Sequence, residues 1–150
     1  MRFKLKMSGE MKVYTSVNDY NYSTNVGVVL VGDKDQVYME DGFKLTIQDK
    51  VSAHVYGLKR AISFVKNVKP LFCNNGMLQI FQDNVRVDMD KEVMDRINSD
   101  EYIQRFVEQR NIKITTQNKD LTDFDKEMLM RAGIKVAPRN FNKGYEKERF

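Results

Sequence analysis

Cysteine and histidine are nearly missing from this sequence, which has one of each, Cys73 and His54, in 150 residues. A lone cysteine excludes an internal disulfide and fits a reducing, cytoplasmic setting. One thiol and one imidazole are too few donors for a structural zinc site. Cys73 itself reads as a small buried hydrophobe. Also missing is any apolar run near the ~18 residues of a membrane span, so no membrane partner is expected. The opening stretch, Met1 to Ser8, alternates charged and apolar residues and lacks the continuous apolar stretch of a signal peptide. There are no internal repeats and no low-complexity segments.

What is present suits one soluble domain with a real core, at 41% hydrophobic and 31% charged residues. The charge is uneven. Residues 134–150 carry Lys135, Arg139, Lys143, Lys147 and Arg149 against Glu146 and Glu148, a net +3. Residues 1–12 carry Arg2, Lys4, Lys6 and Lys12 against Glu10, again +3, and the whole chain is +4. The body between is therefore slightly acidic. Basic ends around an acidic body suit contact with a phosphate backbone, and equally suit solubilising termini. The chain divides into a domain over 1–133 and a basic C-terminal tail over 134–150.

Periodicity gives the order of elements. Met11 to Ser16 reads as a strand, followed by a polar, turn-rich stretch over Asn18 to Asn25. Val26 to Val31 is a second strand, apolar enough to be buried. Gly32-Asp-Lys-Asp35 forms a turn, and Gln36 to Thr46 a third strand broken at Asp41-Gly42. Val51, Val55, Leu58, Ile62 and Val65 then recur at helical spacing, and Asn67 to Pro70 ends that helix. Leu78 to Phe81 is a fourth strand, and the helix before it implies a parallel crossover. Val87 to Gln109 is helical in two pieces, with Ser99 as N-cap of the second. Asn111 to Thr116 alternates as a fifth strand. Thr122-Asp-Phe-Asp125 has the form of a capping box opening a last helix through Ala132, with Gly133 as its C-cap.

Two carboxylates are placed where a magnesium site could form. Asp83 follows the apolar run Met77-Leu-Gln-Ile-Phe-Gln82, at a strand's carboxyl end. Asp125 falls on the apolar face of the last helix, with Leu121, Phe124, Met128, Leu129 and Ala132. A carboxylate in an apolar stripe needs a partner or a metal, and hard cations take oxygen ligands. The plainer readings are a strand-end residue for Asp83 and a capping-box acid for Asp125.

The element order and four short motifs resemble the ribonuclease H family. Val13-Tyr-Thr-Ser16 stands where the family has an apolar strand ending in a catalytic Asp, and Asn25-Val-Gly27-Val-Val29 matches its glycine-containing second strand. Ala53-His54-Val-Tyr-Gly57-Leu58 with Ala61-Ile62 matches the first helix, where the family has Ala-Glu. Leu78 to Asn84 matches the fourth strand with its Asp-Ser pair. The resemblance covers about residues 11–133 and implies an α/β fold. That fold is a five-stranded mixed sheet, three strands antiparallel and then two parallel, with helices on both faces and the carboxyl ends of strands 1 and 4 side by side. It also implies RNA–DNA hybrid cleavage by two magnesium ions held by four acids.

Asp83 and Asp125 are the two acids retained, as catalytic residues and metal ligands. Ser16 and His54 replace the other two, which leaves a degenerate site. Asp19 is a substitute acid only if a bulge or loop returns it to the Ser16 side of the strand. His54 is expected at the helix margin near the surface, and imidazole is a poor magnesium ligand. Magnesium is thus expected to be weakly held, or no cofactor bound. Tyr20 and Tyr22 are candidates for stacking on bases. Lys59 and Arg60, with Lys66 and Lys69, are candidates for phosphate contact from the first helix, as are Lys135, Arg139 and Lys143 from the tail.

The expected function is a non-catalytic ribonuclease H-like protein, of the kind suited to a phage or mobile-element accessory role. Its partner would be RNA, RNA–DNA hybrid, DNA or a nucleic-acid-handling protein. The alternatives are a divergent magnesium-dependent nuclease, and a protein-interaction module acting as inhibitor or accessory subunit of a nucleic-acid machine.

Overall fold

The computed structural model describes residues 10–20, 23–46, 49–68, 76–82, 89–116 and 120–135. Its elements are β1 (Glu10–Tyr20), β2 (Ser23–Val31), β3 (Val37–Leu45), α1 (Lys50–Val68), β4 (Met77–Gln82), α2 (Met89–Asn98), α3 (Glu101–Arg110), β5 (Lys113–Thr116) and α4 (Asp123–Lys135). The five strands lie in the order β3-β2-β1-β4-β5. The pairs β1/β2 and β2/β3 are antiparallel, and β1/β4 and β4/β5 are parallel. This is the expected three-plus-two sheet.

Strand alternation sorts the apolar residues onto two faces. Val13 and Val17 of β1, Val26, Val28 and Leu30 of β2, and Leu78 and Ile80 of β4 pack with Val55, Leu58 and Ile62 of α1, Ile97 of α2 and Ile103 of α3. Tyr14, Val29, Val31 and Phe81 look the other way, onto Met128, Leu129 and Ala132 of α4. Helices therefore cover both faces, and the central strand β1 is buried on both.

Several local expectations are corrected. The polar stretch after Ser16 is not a loop: β1 runs through Tyr20, and Asn18 pairs with Asn25 and Asp19 with Thr24. A ladder is a backbone device, and polar side chains do not end it while the partner strand continues. β3 is unbroken at Asp41-Gly42, where Gly42 lies opposite Gly27 and its N–H is accepted by Asp41 Oδ1 at 2.8 Å. Asp100, not Ser99, caps α3, accepting from the Ile103 N–H at 3.0 Å. α4 continues past Gly133 to Lys135. A glycine inside a helix costs only about 1 kcal/mol, which docking of the Met128–Ala132 stripe offsets.

Candidate functional site

Tyr14, Thr15 and Ser16 lie mid-strand in β1, the strand flanked by β2 and β4. Thr15 pairs with Gln82, the last described residue of β4. The register thus stops one residue short of Ser16 and Asp83; Asp83 lies outside the described residues, as do Tyr22, Lys69, Cys73, Arg139 and Lys143.

Thr15 belongs to the α1 face. Its Oγ1 lies 2.7 Å from His54 Nδ1 and donates to the Phe81 carbonyl at 3.4 Å. His54 is only 1% exposed, which corrects its expected place near the surface. α1 packs on the sheet and also on α2 and α3, so its buried arc is wider than one apolar stripe. Burial, with a smaller push from the Lys50 charge, lowers the imidazole pKa to about 4. The ring is therefore neutral near pH 7. Its Nε2 is buried with no hydrogen-bond partner among the described residues.

Ser16 alternates onto the opposite face, shared with Tyr14, and is buried. Asp125, also buried, begins α4 on that face. Its Oδ1 accepts from the Tyr14 hydroxyl at 2.7 Å and its Oδ2 from the Thr122 N–H at 3.0 Å. Its own N–H donates to Thr122 Oγ1 at 3.0 Å, closing the expected capping box. Burial alone would push the Asp125 carboxyl up. The bonds from Tyr14 and Thr122, with the Lys12 charge, outweigh it and hold the group below the usual carboxylate range. Burial, followed by the bond to Asp125, pushes the Tyr14 phenol up.

The remaining candidates divide between internal partners and open positions. Lys59 Nζ meets Asp100 Oδ2 at 2.7 Å, and both side chains are largely buried. Arg60 lies 4.3 Å over the Phe43 ring and 4.0 Å from Asp41. Neither lies on an open helix face: Lys59 turns to the start of α3 and Arg60 to β3. Asp19 is described by its backbone alone, and the β1/β2 register runs without a shift from Lys12 to Tyr20. Tyr20 ends β1 opposite Ser23, and Lys135 ends α4.

Magnesium needs several carboxylate oxygens facing one space. Among the described candidates, Ser16 offers a buried hydroxyl, His54 an imidazole on the other face, and Asp125 a carboxylate with both oxygens bonded. No group of three or more His, Cys, Asp or Glu that could hold a metal occurs among the described residues. The described residues do not fit a two-magnesium centre. The residues missed from sequence are Thr15 and Tyr14. The available signal for Tyr14 was that Asp125, inside an apolar stripe, needed a donor.

No protein-family model matches the sequence, and no curated protein matches it. Solved structures do. The ribonuclease H domain of prototype foamy virus superposes with a TM-score of 0.54 at 12% identity, over 85% of this chain and 91% of that chain. The fold is ribonuclease H-like. LC11 ribonuclease H1, isolated from compost by a metagenomic approach, gives 0.51 at 16% identity, over 85% of this chain and 93% of that one. The N-terminal ribonuclease H domain of a Mycobacterium tuberculosis protein gives 0.51 at 10% identity, over 87% and 100%. At such identities the ribonuclease H-like relationship is one of architecture, and function has to be argued from the site.

Proposed function

We propose that this chain is a ribonuclease H-like protein that works by binding nucleic acid, as an accessory factor, without the family's two-magnesium cleavage chemistry. The observation that carries the reading is His54. At the helix position where the family has a glutamate stands a buried, neutral imidazole, bonded to Thr15 on the α1 face, which supplies no hard oxygen to a metal. Nucleic acid as the partner is supported by the basic ends of the sequence. It is also supported by the foamy viral protease-reverse transcriptase, solved in complex with double-stranded DNA, which superposes at a TM-score of 0.52 with 13% identity.

The test is a gel-shift series with single-stranded, duplex and hybrid oligonucleotides at two salt concentrations, run beside a hybrid-cleavage assay in Mg²⁺. Binding should weaken steeply with salt. Removing residues 134–150 should flatten the slope by about 0.7–0.9 for each phosphate no longer neutralised. Cleavage should be negligible. Robust turnover that disappears in Asp83→Asn would instead establish a divergent nuclease. No binding to any oligonucleotide at low salt would favour a protein partner.

A further inference from the structure

The structure assigns Asp125 to a clip, formed with Tyr14 and Thr122, that fixes the start of α4 to the central strand and withdraws the carboxylate from metal ligation. The inference rests on the ribonuclease H-like reading, because that reading makes Asp125 a catalytic metal ligand.

Each oxygen of the carboxylate has a donor from a different element. Tyr14 of β1 reaches Oδ1 at 2.7 Å, and the Thr122 N–H, just before α4, reaches Oδ2 at 3.0 Å. Tyr14 is not free to swing away. Its ring stacks on Phe81 of β4 with centroids 4.5 Å apart and planes at 20°, and meets Phe124 of α4 edge-on at 6.4 Å. Lys12, next along the same strand face, holds its Nζ 5.9 Å over the Phe124 ring, and its charge favours the ionised Asp125. The clip therefore joins β1, β4 and α4 through one buried anion. A divalent ion would need an Asp125 oxygen at about 2.0–2.6 Å. It would have to displace the phenol or the helix-end N–H, and each of these donors has Asp125 as its acceptor. Leaving such a donor unsatisfied in a buried site is unfavourable.

Thermal unfolding and Mn²⁺ broadening of amide resonances test the clip in the full chain, its Tyr14→Phe and Asp125→Asn variants, and the double variant. Tyr14→Phe keeps the ring volume and should lower the thermal midpoint by roughly 3–12 °C, the range for one hydrogen bond to a charged group in a chain of this size. The double variant should fall by less than the sum of the two single changes, because both break one interaction. Mn²⁺ should leave the amides of residues 122–125 unbroadened in the unmodified chain. Selective broadening there that vanishes in Asp125→Asn would overturn the clip, as would an unchanged midpoint in Tyr14→Phe. Hybrid cleavage by the unmodified chain with those amides still sharp would sink the functional proposal and leave the clip standing.

Discussion

His54 Nδ1 and Thr15 Oγ1 face each other at 2.7 Å in the buried seam between α1 and β1. The pair lies on the sheet face opposite Ser16 and Asp125. His54 is thus part of the packing of α1, and its chemistry is that of a buried neutral base.

This burial makes stability depend on pH. The His54 pKa falls from the ordinary 6.5 to about 4 in the folded chain. Between those values the unfolded chain takes up a proton that the folded chain refuses. Stability from this group is therefore complete above about pH 6.5 and is lost as pH falls toward 4, by up to roughly 3 kcal/mol. Asp49 and Asp125, both held below the ordinary 3.8, add losses in the same direction at lower pH. Urea midpoints from pH 7.5 to 4.5 should show the slope in the unmodified chain and much less of it in His54→Gln. Equal slopes would remove His54 as the cause.

Gly57 marks a tight approach of α1 to the sheet. A Cβ added there would sit 2.9 Å from Thr15 Cγ2 and 3.2 Å from Val26 Cγ1. Both neighbours are short, branched side chains with little room to yield. Helix propensity favours Gly57→Ala by about 1 kcal/mol, and overpacking opposes it by about 1–3. The variant should be destabilised by about 1 kcal/mol in equilibrium unfolding. A stabilised Gly57→Ala would show that the seam is looser than these distances imply.

Asp100 serves two elements, capping α3 through one oxygen and pairing with Lys59 through the other. Asp100→Ala loses both the cap and the ion pair, a loss of about 1–3 kcal/mol. Asp100→Asn with Lys59→Met keeps a capping oxygen and removes both charges, so denaturant titration should find it clearly milder. If the two cost the same, the ion pair is not what matters.

Lys59 also discriminates between binding surfaces. Because its ammonium is committed to Asp100 at 2.7 Å, Lys59→Met should change oligonucleotide affinity by less than about twofold at fixed salt. Truncation of residues 134–150 should weaken it far more. A large loss in Lys59→Met would return α1 to the nucleic-acid interface.

Much of the architecture was legible in the sequence because it is written locally. The Val51 to Val65 stripe, the alternation of Lys113 to Thr116 and the Thr122–Asp125 box each act within a few residues, and all three appear in the fold. The sequence alone also determined which side chains are in play, since Ser16, His54 and Asp125 are matters of identity. Tertiary structure decided what those side chains do. Tyr14 and Asp125 are 111 residues apart and Thr15 and His54 are 39 apart. Docking α4 on one face and α1 on the other selected those pairs, and periodicity carries no record of either. The same docking buried His54 against β1, and the packing of α3 on α1 brought Asp100 to Lys59. A helix's apolar stripe tells where its first neighbour lies, while the second neighbour, which turns a margin into an interior, appears only when the chain has closed around it.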